Sequence, residues 1–141
     1  GGGGPAASGT VGIGGVGGSG IVIIRRPTLA GTINNMTLQS TDTTAEAAPT
    51  KADMVMLMED TAGTATLNTD IKGYVSRDSG ATFTEGVLVD EGDWGTNKRI
   101  LAFHDLSFTS SSGTAMCYKI TTHNQVWAKQ TKIHATSIGW R

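Results

Sequence analysis

Ile71-Lys72-Gly73-Tyr74-Val75-Ser76-Arg77-Asp78-Ser79-Gly80-Ala81-Thr82-Phe83-Thr84 is the stretch that decides the fold class. Ile71, Gly73 and Val75 alternate with Lys72, Tyr74 and Ser76, the two-residue period of a half-buried strand. Asp78-Ser79-Gly80 supplies a turn, and a second strand returns from Thr82 to Val89. The predicted unit is an antiparallel hairpin.

The same device repeats outward in both directions. Toward the C-terminus, Asp90-Glu91-Gly92-Asp93-Trp94-Gly95 reads as an acidic turn, and a long strand is expected from Lys98 to Phe108. Its alternation puts Leu101 and Phe103 on one face and Ala102, His104, Leu106 and Phe108 on the other. Ser110-Ser111-Ser112-Gly113 is expected to be a tight turn, with a returning strand from Thr114 to Thr122 carrying Met116, Tyr118 and Ile120 in register. A turn at Asn124 to Trp127 then precedes a final strand from Lys129 to Trp140.

Toward the N-terminus, Ala52 to Glu59 is almost continuously apolar, and its three methionines serve as adaptable core filler. Asp42 to Thr50 reads as a polar, alanine-rich loop, Thr32 to Gln39 as a strand, and Ile21 to Arg25 as a short strand ended by Arg26-Pro27. Eight or so strands at regular spacing, with no βαβ unit, predict an all-β chain, an antiparallel β-sandwich of jelly-roll-like type.

The first twenty residues differ in kind. Eleven are glycine, and Gly9, Gly12, Gly15 and Gly18 recur every third residue, as do Ile13 and Val16. A period of three matches a polyproline-II-like coil, which has no internal hydrogen bonds and needs other segments or chains as partners. A flexible linker is the alternative that composition leaves open. The expected organisation is residues 1–27 as glycine-rich segment and junction strand, and residues 28–141 as the sandwich. Because the chain starts with Gly rather than Met, it reads as the C-terminal part of something longer or as a processed product.

Eleven basic and twelve acidic residues are scattered singly, giving a net charge of −1. With no basic stripe to track phosphates, nucleic-acid binding is not expected. No apolar run is long enough to span a bilayer, so membrane insertion is not expected either. The single Cys117 has no disulfide partner in its own chain and is expected in the core.

Site chemistry is sparse. The motif Ser76-x-Asp78-x-Gly80-x-Thr82-Phe83 resembles the Asp-box of sialidase-type propellers, where it is a structural turn away from the catalytic residues. One box cannot make a propeller, so Asp78, Gly80 and Phe83 are read as hairpin residues. Asp90, Glu91 and Asp93 lack calcium-loop spacing, and His104, His123 and His134 lie on or beside separate strands without Cys or His partners, so neither metal nor cofactor is expected. No nucleophile motif and no phosphate-cradling loop occurs, and an enzyme is not expected. Trp94, Trp127 and Tyr74 are the candidate binding residues, because an indole in a turn is hard to bury and offers a stacking face.

Gly14-Gly15-Val16-Gly17-Gly18-Ser19-Gly20-Ile21-Val22-Ile23-Ile24-Arg25 resembles the glycine-rich segments of bacteriophage tail-fibre and virion structural proteins. The stretches Thr43 to Thr50 and Ile133 to Trp140 resemble the C-terminal β-domain of such proteins in marine phages. The resemblance implies a homotrimeric fibre or spike end on the virion exterior, outside the cell. Its implied partners are other virion proteins and a host-surface glycan or outer-membrane component. The competing expectation is a structural or assembly module, such as a capsid decoration or self-assembling extracellular fibre subunit, with no receptor of its own.

Overall fold

The computed structural model describes residues 31–141. The expected strand at Ile21 to Arg25 and the period-three positions Gly9, Gly12, Gly15, Gly18, Ile13 and Val16 lie outside them.

Nine strands are present among the described residues: β1 (Thr37–Gln39), β2 (Thr43–Thr44), β3 (Lys51–Ala62), β4 (Ile71–Ser76), β5 (Thr84–Gly86), β6 (Val89–Gly95), β7 (Lys98–Ser107), β8 (Ala115–Thr122) and β9 (Gln130–Trp140). The first sheet runs in the order β1-β8-β4-β5, with β2 also on β8, and the second in the order β6-β7-β3-β9. Every strand pairing is antiparallel. The fold is an antiparallel β-sandwich.

Its core lies between the sheets. Ala52, Met54, Met56 and Met58 of β3 and Leu101 and Phe103 of β7 meet Ile71 and Val75 of β4 and Ile120 of β8, all buried. Strand alternation accounts for this, since every second residue of β3 from Ala52 to Asp60 is buried. Gly73 and Gly86 pair across β4 and β5; a Cβ at Gly86 would run into the Phe103 ring, and one at Gly73 would crowd Met54 Sδ and the edge of that ring. The missing side chains let that ring lie against the backbone of the opposite sheet.

The predicted hairpin of β4 and β5 is present, with Gly73, Tyr74 and Val75 opposite Gly86, Glu85 and Thr84. The returning strand expected from Thr82 to Val89 is confined to Thr84–Gly86, and Val89 opens β6 in the second sheet. Elsewhere tertiary pairing corrects the local reading. Asp90 to Gly95 is not a turn but most of β6, an edge strand whose residues are all exposed to some degree and which pairs with β7. Acidic residues and glycine have low strand propensity, but edge strands use charge and bulges to resist further pairing. The turn falls instead at Thr96-Asn97, where Asn97 takes φ +57°.

The faces of β7 also differ from simple alternation. Met54 pairs with Phe103 but Ala52 with Leu106, so β7 carries an extra residue in a β-bulge. Asp105 there adopts φ +55°. The bulge swings Leu106 and Phe108 back toward the core, on the same side as Leu101 and Phe103.

The Ser110 to Gly113 segment does not return β8 beside β7. It carries the chain across to the first sheet, where β8 pairs with β1 and β4. The strand expected over Thr32 to Gln39 is confined to Thr37–Gln39, and the Asp42 to Thr50 loop contains the two-residue β2.

Candidate functional site

The Asp78 turn is held by its own side chains. Asp78 accepts from Ser76 Oγ at 2.6 Å, from the Thr82 amide at 2.9 Å and from Thr82 Oγ1 at 2.5 Å. The Gly80 amide donates to Ser76 Oγ at 2.9 Å. Ser79 and Gly80 both take positive φ, +61° and +78°. Hydrogen bonds from Ser76 and Thr82 hold the Asp78 carboxyl below its usual range, because donors favour the ionised form. Phe83 stands edge-on to Tyr74, and the Lys119 ammonium sits 4.0 Å from the Phe83 centroid and 4.7 Å from that of Tyr74. Tyr74 is thus half-buried under a cation, on the first sheet.

Trp127 stands at the apex of the turn between β8 and β9, 61% exposed, beside Val126 at 53%. Reciprocal backbone hydrogen bonds close that turn, Val126 N to Lys129 O at 3.0 Å and Lys129 N to Val126 O at 2.9 Å. Its base is anchored on buried Asp70, which accepts from Lys129 Nζ at 2.8 Å, Asn124 Nδ2 at 2.7 Å and the Thr66 amide at 2.9 Å. These donors, Lys129 foremost, hold the Asp70 carboxyl well below the ordinary carboxylate range. Buried Gln125 braces the same turn, accepting from the Thr131 amide at 2.8 Å. The indole is therefore presented on a preorganised support, which lowers the ordering cost of a contact.

Trp94 lies over the second sheet. Its ring is 5.1 Å from that of His134 at an interplanar angle of 80°, and Lys98 Nζ is 4.8 Å from its centroid. His134 Nε2 is 2.5 Å from Glu59 Oε2, and that hydrogen bond draws the Glu59 carboxyl below its usual range. At the other end of this sheet His104 Nε2 is 2.6 Å from Glu91 Oε1, and Arg141 pairs with Asp53 and Asp105. A groove of about 410 Å³ opens beside it, lined in part by Val87, Val89, Glu91 and Leu106. A second groove, of about 430 Å³, runs between Ala45 to Pro49 and Trp140.

The three candidate aromatics are not brought together. Tyr74 belongs to the first sheet, Trp94 to the second and Trp127 to a turn at one end of the sandwich. The histidines do not converge either, and among the described residues no group of three or more His, Cys, Asp or Glu is arranged to hold a metal ion. Cys117 is fully buried, and burial raises its thiol pKa. The Lys129 and Asn124 contacts of Asp70, the His134–Glu59 pair and the His104–Glu91 pair had no local signal, since their partners lie 13 to 75 residues apart. No protein-family model, curated protein or solved structure matches the chain.

Proposed function

We propose that the chain is a non-enzymatic structural protein, the C-terminal part of a phage tail fibre or spike that contacts the host surface as a homotrimer. What supports this reading is the join of two parts. A glycine-rich run resembling those of virion fibres leads, in the sequence, into an antiparallel sandwich that closes its own core within residues 31–141. The braced, exposed Trp127 is the residue we assign to the contact, because an indole held rigidly buries large apolar area at low entropic cost. Binding of the labelled full chain to glycan arrays and intact bacterial cells tests it. Trp127→Ala is expected to weaken the binding by about 30-fold, the ~2 kcal/mol of a binding hot spot. A chain that binds neither surface yet forms filaments in electron micrographs belongs to the assembly class instead.

A further inference from the structure

The outer face of the second sheet carries an apolar band that the described residues leave half-covered. Val55 pairs with Ala102, itself fully buried, which pairs with exposed Val89. Leu57 pairs with Ile100 on one side and exposed Ala135 on the other, and Val55, Leu57 and Ile100 are half-buried. These residues alternate with the core set of β3, so Met54-Val55-Met56-Leu57-Met58 is apolar on both faces. Such a run is the pattern of a strand with a packed layer on each side. Only one layer is supplied by the sandwich.

The two ends of this face differ. At one end three carboxylates, Asp53, Glu91 and Asp105, are paired with Lys51, Arg141 and His104, and here Val87 (71% exposed) and Val89 (55%) line the groove that opens at the β6 edge of the sheet. At the other end Glu59 accepts from His134 and pairs across the strands with Lys98 and Lys132, and Trp94, 37% exposed, lies against Lys98 and His134. A hollow flanked by three carboxylates and a half-exposed indole flanked by Lys98 thus share one surface at opposite ends.

We infer that this face packs against the same face of a second copy, about a two-fold axis lying in the interface and crossing the strands. That operation stacks β6 on β6 and exchanges the ends, because an isologous contact pairs each patch with its counterpart. Trp94 of each copy then meets the Val87–Val89 groove of the other, and the more basic end lies over the more acidic one. The size is appropriate. Four strands at ~4.8 Å spacing and about ten residues at ~3.3 Å offer roughly 600 Å² of flat face. With the flanking Trp94 and Val87 this approaches the ~800 Å² per partner of a standard interface. The inference does not depend on attachment to a host.

Sedimentation of the full chain against matched variants decides it. Wild-type protein is expected at twice the mass of Val89→Glu and Trp94→Ala at the same concentration, with Trp127→Ala unchanged from wild type. Ser137→Cys, exposed on the same face, is expected to cross-link between copies through a short bis-maleimide, and adding Val89→Glu should abolish the product. Equal masses for wild type and Val89→Glu, or cross-linking indifferent to that change, overturn the inference. Loss of surface binding in Trp127→Ala with the mass unchanged would bear only on the attachment reading.

Discussion

At the scale of single residues, Asp70 shows how a buried charge is used here. It is 1% exposed and gathers Lys129, Asn124 and the Thr66 amide, while its own carbonyl accepts from the His123 amide at 2.8 Å. A buried carboxylate is tolerated only when paired and hydrogen-bonded. Asp70→Asn keeps the shape but leaves Lys129 without its counter-charge, and should lower stability at neutral pH by on the order of 2 kcal/mol. The sign with pH follows from the depressed folded-state pKa. Stability from this group is fully present above the unfolded value of about 3.9 and is lost progressively as pH falls from there through the much lower folded-state pKa. The difference in denaturant midpoint between wild type and variant should therefore be constant from pH 7 to about pH 5, begin to shrink below about pH 4 and keep shrinking beyond pH 3. A gap that is the same at pH 7, pH 3 and pH 2 would assign the effect to packing rather than charge.

At the scale of elements, the contact between the sheets depends on what β4 and β5 lack. Gly73 and Gly86 face each other across the hairpin, and the Phe103 ring of β7 occupies the space where a Gly86 side chain would stand, while Met54 of β3 lies closest to the space of a Gly73 side chain. Gly86→Ala should cost about 1–3 kcal/mol through overpacking, measured as a lower melting temperature. Pairing it with Phe103→Leu should recover part of that loss, because the smaller side chain vacates the ring position. A full, additive loss in the double variant would show that the glycine matters for its backbone and not for its missing side chain. Two bulges show the same principle of elements fitted to one another. The extra residue around Asp105 returns Leu106 to the core, and the register shift of β9 between Ala135 and Ile133 places His134 against Glu59 on the outer face.

At the scale of the whole molecule, residues 31–141 hold a continuous core and both sheets. A chain lacking residues 1–20 should therefore keep its β-sheet circular dichroism and cooperative melting, with a lower oligomeric state by light scattering if the glycine-rich run packs between copies. An unfolded truncation would contradict an autonomous sandwich, and an unchanged oligomer would remove the run from assembly. What the sequence by itself determined is the class and the local devices. Alternation over Ile71 to Ser76, the Asp78-Ser79-Gly80 turn and the apolar run of β3 are short-range patterns, and short-range sterics and hydrogen bonding fix their outcome. Only the tertiary structure decided which sheet each strand joined. Asp90 to Gly95 became a strand because β7 offered a free edge, and β8 crossed to β4 because Ile120 packs with Ile71 and Val75 in the core. The same holds for the outer-face clusters. His134, Glu59, Lys98 and Trp94 meet only after three separate strand pairings set their register, and no local pattern encodes a sum of distant registers.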